Sequence, residues 1–312
     1  MKRKKIIAAH TLAKNEARFI WYSIMSVYKY VDRVRIWDMG STDITRAIID
    51  KILDLPESRG KVFYEDVYMK DFDEAYARQH MLDETPEASE IYKSEEFFPW
   101  TRETMLGESN ADWIIIVDAD EIWWDESIKK VVDLIQEKGD YLESIVVPNI
   151  LPVGDIFHYQ EKEAGRYRLS GRTGHFALRA INRRIPGLHS QGAHGVWGWA
   201  DGDGKMIQDR DPKKIGFTDA PYMHMTHLPR SLGGADSDVT KRKMKLKYEI
   251  GISFPKDFYY PEVFFWPRPS IVKSPWKTMD FEFKTISFFE TPFRKLKRRL
   301  INKGILPGRT GY

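Results

Sequence analysis

Residues 113–124 read WIIIVDADEIWW, an apolar run that passes directly into two aspartates and a glutamate. An apolar run of this length is typical of a buried strand. Carboxylates placed close together repel one another and resist the loss of water, and the usual remedy is a bound cation. Hard divalent cations prefer oxygen ligands. The stretch therefore predicts a buried strand with a metal site at Asp118 and Asp120.

Strand and helix patterns alternate on both sides of this stretch. Short apolar runs predict five strands, and helical spacing of apolar residues predicts helices from about residue 16, over 44–55 and over 127–138. Strands that alternate with helices pair in parallel through right-handed crossovers. We therefore expect an α/β fold with a central, mostly parallel sheet flanked by helices. The predicted strands are 6–12, 34–37, 62–67, 112–118 and 144–147.

Composition limits the classes of function. The chain has 312 residues, of which 49 are basic and 46 acidic, and a net charge of +3 does not indicate a general nucleic-acid binder. The absence of cysteine excludes disulfides, zinc–thiolate sites and thiol nucleophiles. The first apolar run is short and interrupted by His10 and Lys14, unlike a signal peptide, and no stretch of about 18 apolar residues exists. We expect a cytoplasmic protein.

Polar side chains follow three of the predicted strands. Asn15 and Glu16 come after the first strand, Asp38 ends the second, and Asp118 and Asp120 end the fourth. In open α/β sheets, ligands bind beyond the carboxyl ends of the strands. These side chains are therefore expected to converge on one edge of the sheet.

The segments TLAKNEARFI, VRIWDMGSTDIT and ADWIIIVDADEI resemble, in order and spacing, the three opening motifs of family 2 glycosyltransferases with the GT-A fold. The resemblance covers residues 6–125 and is loose beyond about residue 150. It implies a metal-dependent transferase of the hexosyltransferase type. Such an enzyme moves a sugar from a nucleotide-diphosphate sugar to a glycan or lipid-linked acceptor, with inversion.

The resemblance also implies roles for individual residues. Asp38 would contact the nucleobase, Asn15 and Glu16 would lie at the ribose or base, and Arg102 would lie near the donor. Asp118 and Asp120 would form the D-x-D pair, whose second member binds the Mn²⁺ or Mg²⁺ that bridges the diphosphate. The later segment APYMHMTHLPRS resembles one in which a histidine or arginine closes over the diphosphate; His227 or His224 would be that histidine, and His227 is counted as a metal ligand.

An inverting transferase needs a base for the acceptor hydroxyl. We favour His194 as this base and count it, with Asp118 and Asp120, among the catalytic residues. Trp197 and Trp199 would suit stacking on a sugar ring. The other candidates for the base are Asp155, His189, Asp201 and Asp203.

The chain is expected to contain a transferase domain over 1–235, with a nucleotide-binding half of about 1–125 and an acceptor-binding half of about 126–235, followed by an extension over 236–312. In the extension, Thr291 is a candidate N-cap, Pro292 fits a first helical position and Gly304 fits a helix end. Six of the eleven residues 293–303 are basic and none is acidic. This basic amphipathic helix predicts either peripheral contact with the cytoplasmic membrane face or packing on the domain.

Other interpretations remain open. A strand that ends in D-x-D also resembles the first motif of haloacid dehalogenase-like phosphatases, although there the motif opens the domain. A non-catalytic member of the fold would keep only nucleotide or glycan binding. Asp38, Asp118 and Asp120 are also ordinary turn or cap residues, and Glu16 also suits the first turn of a helix.

Overall fold

The computed structural model describes residues 3–66, 111–191, 198–239 and 242–306. The helices in these ranges are α1 (Ile20–Val27), α2 (Thr45–Leu53), α3 (Asp125–Lys138), α4 (Arg242–Lys245) and α5 (Phe281–Asn302). The strands are β1 (Ile7–Ala13), β2 (Arg33–Asp38), β3 (Val62–Asp66), β4 (Trp113–Ile116), β5 (Glu121–Trp123), β6 (Ser144–Ile150), β7 (Pro152–Val153), β8 (Asp155–Tyr159), β9 (Tyr167–Leu169), β10 (Arg172–Gly174), β11 (Phe176–Asn182), β12 (His189–Gln191), β13 (Gly198–Ala200), β14 (Ile215–Phe217), β15 (Tyr222–His224) and β16 (Ile252–Ser253).

Among the described residues, nine strands form one mixed sheet in the order β3-β2-β1-β4-β11-β6-β15-β5, with β14 also paired to β6. β3, β2, β1 and β4 run parallel to one another. β11 lies antiparallel between β4 and β6, and β5 lies antiparallel to β15. The α/β class and the mostly parallel sheet are therefore confirmed. The antiparallel insertion of β11 was not expected from the sequence.

The apolar stretch that opened the sequence analysis divides into two strands. β4 is fully buried and ends at Ile116, two residues earlier than predicted. β5 begins at Glu121, so Asp118 and Asp120 lie in the short connection between two strands. The backbone N–H of Glu121 donates to the carbonyl of Asp118 (2.9 Å), which closes a turn and ends the extended conformation.

The core lies between the sheet and the helices. All eight residues of α1 are buried, and they pack with β1, β5 and α2 in one apolar cluster. Trp123 is fully buried and stacks on Tyr222 of β15 with ring centroids 4.7 Å apart. Val263 and Phe264 from the C-terminal extension lie in the same cluster. The extension therefore shares the core of the sheet.

The C-terminal helix begins earlier than the sequence predicted. Asp280 is its N-cap and accepts a hydrogen bond from the N–H of Phe283 (2.8 Å). The expectation that Thr291 is the cap is wrong, because the Thr291 hydroxyl donates to the carbonyl of Ser287 one turn earlier (2.5 Å) and Pro292 lies inside the helix. Gly304 follows the helix with a φ of 72°. No described helix is both long and apolar enough to cross a bilayer.

Candidate active site

The turn after β1 is organised by Asn15. This residue adopts a left-handed conformation (φ 54°), and its side-chain oxygen accepts from the N–H of Thr42 (2.7 Å). Its side-chain nitrogen donates to the carbonyl of Ala235 (3.0 Å). Asn15 therefore ties the ends of β1 and β2 to the C-terminal part of the chain. Its contact with a nucleotide stays a prediction.

Asp38 ends β2 as a buried turn residue. One carboxylate oxygen accepts from both the N–H (3.0 Å) and the hydroxyl (2.6 Å) of Ser41. Burial raises the pKa of Asp38 to about 6, although the bonds from Ser41 lower it. The turn interpretation of Asp38 is therefore observed. The predicted contact with a nucleobase is compatible with it and stays a prediction.

Glu16 and Asp120 come together as predicted, through an arginine between them. One guanidinium nitrogen of Arg230 lies 2.5 Å from Asp120 Oδ2 and 3.2 Å from Glu16 Oε1. All three side chains are less than 10% exposed. Although burial acts in the opposite direction, Arg230 and then His224 hold the pKa of Asp120 well below its usual value. Asp120 is therefore an ionised carboxylate.

Arg242 contacts the same carboxylate oxygen of Glu16 as Arg230 does. Its guanidinium donates to Glu16 Oε1 (2.5 Å) and to the backbone carbonyls of Lys14 (2.7 Å) and Asn15 (2.5 Å). Burial raises the pKa of Glu16 to about 8, and Arg230 opposes this change. Glu16 is thus fixed by two arginines from the C-terminal part of the chain.

The D-x-D connection is positioned by helix α1 and by β15. The hydroxyl of Ser23 donates to the carbonyl of Asp118 (2.9 Å), and the hydroxyl of Ser26 accepts from the N–H of Trp123 (3.1 Å). The N–H of Met225 donates to the carbonyl of Asp120 (2.8 Å). The backbone around both aspartates is therefore held rigidly by the core.

Glu121 faces a second buried arginine. It is fully buried and forms an ion pair with Arg179 of β11, whose Nε also donates to the hydroxyl of Tyr222 (2.9 Å). The same guanidinium lies 3.6 Å from Asp118 Oδ2. Burial raises the pKa of Glu121 well above its usual value, and Arg179 opposes this. The Glu121–Arg179 pair therefore also helps to fix the connection between β4 and β5.

The two candidate histidines occupy different places. His224 Nε2 lies 3.5 Å from Asp120 Oδ2, and Nδ1 lies 3.9 Å from Glu121 Oε1. His227 Nδ1 instead lies 2.8 Å from the carbonyl oxygen of Lys245. Burial, and then Lys247, hold the pKa of His227 well below its usual value, so this ring is neutral. The structure thus brings His224 to the D-x-D carboxylate, whereas the sequence analysis counted His227 as a metal ligand.

Lys245 adds a further cation to the same place. Burial lowers its pKa, and the charge of Arg230 lowers it further, while Asp120 and Asp118 act to raise it. Two carboxylates, a histidine and three cations thus surround one edge of the sheet: Asp118, Asp120, His224, Arg179, Arg230 and Lys245. Such a mixture suits a ligand with several negative charges, because the cations bind its oxygens and the carboxylates hold a metal.

The protein itself supplies only some of the ligands that a divalent ion needs. Asp120 and His224 supply one oxygen and one nitrogen donor within 3.5 Å of each other. Over the described ranges, no group of three or more His, Asp or Glu side chains could hold a metal alone. Mg²⁺ commonly takes one or two protein carboxylates and completes its shell with water and substrate phosphates. The arrangement therefore fits an ion that binds together with a diphosphate.

The remaining site predictions have different outcomes. Arg102, His194 and Trp197 lie outside the described residues. The sugar-stacking role predicted for Trp199 is wrong, because its side chain is only 3% exposed and packs with Ile114 in the core.

The other candidates for the base form local contacts. His189 Nδ1 lies 2.9 Å from the carbonyl of Gly187. Asp155 accepts the N–H of Met279 (3.0 Å), and Asp201 pairs with Arg210. Asp201 also accepts the N–H of Asp203 (3.1 Å). None of these contacts joins the cluster around Asp120.

Three site residues were not foreseen. Arg179 lies on β11, where no sequence pattern marked it. Arg242 and Lys245 belong to the run KRKMKLK, which the sequence analysis treated only as part of a basic extension. Arg230 was within reach, since the segment APYMHMTHLPRS suggested a histidine or an arginine and contains it.

Comparisons with known proteins give no family assignment but do give related structures. No protein-family model matches the chain, and no curated protein matches it. S. aureus TarS residues 1–349 matches 71% of this chain and 60% of its own chain, less than two thirds, at 14% identity and a TM-score of 0.40. The same TarS fragment with UDP-GlcNAc gives 14% identity, 70% and 58% coverage, and a TM-score of 0.41.

A third solved structure is glucosyl-3-phosphoglycerate synthase from Mycobacterium tuberculosis with Mn²⁺, UDP and glucosyl-3-phosphoglycerate. It matches at 17% identity over 70% of this chain and 72% of its own, with a TM-score of 0.41. At such scores we base the function on the residues of the site and not on the likeness.

Proposed function

We propose that the protein is a metal-dependent glycosyltransferase of family 2 that transfers a sugar from a nucleotide-diphosphate sugar to a glycan or lipid-linked acceptor, with inversion. One observation carries the proposal. Asp120 is buried between Arg230 and His224 at the carboxyl edge of a largely parallel sheet. That edge is where α/β proteins bind ligands. The ordered motifs around Glu16 and Asp38 support the nucleotide as the ligand.

Asp120 and His224 would hold the divalent ion, with Asp118 close by. The ion would neutralise charge on the departing nucleoside diphosphate as a Lewis acid. Arg230, which is ion-paired with Asp120, and Lys245, which interacts with Asp120 electrostatically, would bind the phosphate oxygens. Because Arg230 is paired with Asp120, the metal would reach Asp120 only if Arg230 turned toward the phosphates. Binding of the nucleotide sugar and binding of the metal are therefore expected to depend on each other.

The nucleoside would lie over the ends of β1 and β2. Asp38 would accept from the nucleobase with the carboxylate oxygen that Ser41 does not use, and Glu16 would face the ribose. Asn15 acts as a positioning residue, since its side chain already binds Thr42 and Ala235. Arg102 and His194 keep their proposed roles, near the donor and as the acceptor base.

The test is a thermal-shift panel of UDP, GDP, dTDP, CDP and ADP, each with and without Mn²⁺. A ligand at about 100 times its Kd stabilises the folded state by roughly 2.7 kcal/mol. We expect one nucleotide to give a Mn²⁺-dependent shift that is lost in Asp120→Asn. The matched control is Asp133→Asn on α3, an aspartate with 65% side-chain exposure. No shift with any nucleotide at millimolar concentration would overturn the proposal.

We also propose that α5 contacts an anionic membrane surface. Phe281, Phe288, Phe289, Phe293 and Leu296 are each more than half exposed. At 100° per residue they fall within a sector of about 140° of the helix. Lys295 borders this sector and Arg299 lies within it. Aromatic and leucine side chains bordered by basic residues are typical of helices that lie in a bilayer interface.

Vesicle sedimentation tests this contact. We expect the protein to bind phosphatidylcholine vesicles that contain phosphatidylglycerol more strongly than pure phosphatidylcholine, because each basic residue near an anionic surface contributes about 1 kcal/mol. The double variant Phe288→Ser, Phe289→Ser should lose this binding. Tyr141→Ser, which changes an aromatic residue of 55% exposure beyond α3, is the control. Equal sedimentation of the double variant and the parent would contradict the contact.

A further inference from the structure

A second cluster of cations lies on the inner side of α5, away from its exposed apolar sector. A pocket of about 260 Å³ is bordered by five basic and two apolar residues, with no acidic residue among them. These residues are Ala164, Arg166, Lys247, Arg294, Lys297, Arg298 and Ile301. The four from α5 fall within a sector of about 100° and so share one side of the helix. We name this the basic pocket.

Within the described ranges, the carboxylates that form ion pairs with the basic pocket are fewer than its cations. Arg298 pairs with Glu249 and Glu161, and Arg294 lies 3.3 Å from Glu290. Five cations against these three carboxylates leave a surplus of two positive charges. Burying unbalanced charge is unfavourable unless a counter-ion is bound.

Two members of the pocket are arranged as if for such a counter-ion. Arg294 Nε is buried and has no hydrogen-bond partner. Within the described ranges, the ammonium of Lys247 donates to one side-chain acceptor, Gln160 Oε1, at the long distance of 3.4 Å. Burial, and then the charge of Arg298, lower the pKa of Lys247 to about 8. The neighbours of a lysine with a purely structural role stabilise its charged form. The surroundings of Lys247 instead destabilise its charged form.

We propose that the basic pocket binds a phosphate monoester group. Such a group carries about two negative charges, which equal the surplus, and its oxygens match the geometry of arginine. Lys247 also interacts electrostatically with His227, and Lys245, two residues earlier, interacts electrostatically with Asp120. The pocket therefore adjoins the candidate active site through this short segment. The inference does not depend on sugar transfer.

Calorimetric titration with inorganic phosphate and with glycerol 3-phosphate, at constant ionic strength, tests the pocket. We expect Lys247→Met and Arg294→Gln to weaken phosphate binding by at least about tenfold, which is about 1.4 kcal/mol. Arg299→Gln removes the same charge from the exposed side of α5 and should bind within about twofold of the parent. Unchanged phosphate binding in Lys247→Met and Arg294→Gln would overturn the proposal.

Two further measurements separate this pocket from the alternatives. Lys245→Met should keep the phosphate binding that Lys247→Met loses; the reverse result would place the anion beside Asp120 and refute the pocket. Lys247→Met should also raise the melting temperature in the absence of phosphate, because it removes a buried ammonium. A lowered melting temperature together with retained binding would assign Lys247 a structural role only. The nucleotide panel should be unchanged in Lys247→Met, so failure here leaves the proposed transferase untouched.

Binding to vesicles of matched charge shows whether the phosphate group belongs to a lipid or to a soluble molecule. Phosphatidic acid presents a phosphate monoester and phosphatidylglycerol a diester. Preferential binding to phosphatidic acid that is lost in Lys247→Met would assign the pocket to a lipid headgroup. We expect no such preference, because the basic pocket and the membrane-contacting apolar sector lie on nearly opposite sides of α5. The expected ligand is then a soluble phosphorylated molecule.

Discussion

Replacing Arg230 by methionine should destabilise the protein strongly and in a pH-dependent way. Arg230 lies between Asp120 (2.5 Å) and Glu16 (3.2 Å), whose side chains are 3% and 6% exposed. Removing one partner of a buried ion pair costs about 3–5 kcal/mol, because the remaining charge stays buried without compensation. Arg242 still contacts Glu16, so Asp120 bears most of the loss. We expect a reduction near the lower end of this range at pH 7.

The sign of the pH dependence follows from the pKa of Asp120. Arg230 and His224 now hold this pKa well below its usual value, although burial opposes them. Without Arg230, burial raises it above the unfolded value of about 3.9, so the folded state binds a proton that the unfolded state has lost. Stability then falls as pH rises, by up to about 1.4 kcal/mol per pH unit. From pH 5 to pH 7 the variant should lose up to about 2.7 kcal/mol relative to the parent.

Urea denaturation of the variant and the parent at pH 5, 6 and 7 measures this difference. Any pH dependence that both proteins share cancels when their free energies of unfolding are subtracted. The control is Arg184→Met, whose guanidinium also lies near two carboxylates, Asp140 (3.2 Å) and Asp112 (3.7 Å), but at 57% exposure. Exposed pairs contribute about 0–1 kcal/mol. If Arg230→Met costs no more than Arg184→Met, or if its cost is the same at all three pH values, the buried charge network is not what holds Asp120.

Four further substitutions give contrasting results. His224→Gln should abolish the Mn²⁺-dependent part of the nucleotide shift, whereas His227→Gln should leave it within about twofold; equal losses would remove His224 as a ligand. Asp38→Asn should stabilise the protein at pH 7 by up to about 3 kcal/mol in urea denaturation, since a pKa of about 6 means that the folded state disfavours the ionised form, and the gain should vanish below about pH 4. Lys247→Met should stabilise at pH 7 by up to about 3 kcal/mol and less toward pH 10, where the folded lysine is already neutral.

The first half of the sheet could be predicted because each strand carries its own signal. The expected strands 6–12 and 34–37 correspond to β1 and β2, and the one at 144–147 to β6. Beyond residue 150 the strands are short and irregular, and β11 pairs with β4 across more than 60 residues of sequence. That pairing depends on long-range packing and not on local periodicity, so no window of sequence reveals it.

The acidic part of the site could be predicted, and the basic part could not. Glu16 and Asp120 follow strands, so the topology of a parallel sheet brings them together. Arg179 and Arg242 come from an antiparallel strand and a four-residue helix, where an arginine looks like any other exposed cation until its partners are known. The choice between His224 and His227 was equally open, because the strand β15 that turns one of them toward Asp120 is only three residues long.

Arg242 has a consequence for how the protein is made. It donates to the carbonyls of residues 14 and 15 and to Glu16, more than 220 positions earlier in the chain. Until residue 242 has been synthesised, Glu16 lacks one of the two arginines that contact it in the folded protein. Contacts of such sequence separation form late and slowly. The edge of the sheet around Glu16 is therefore expected to become fully ordered only after residue 242 has emerged from the ribosome.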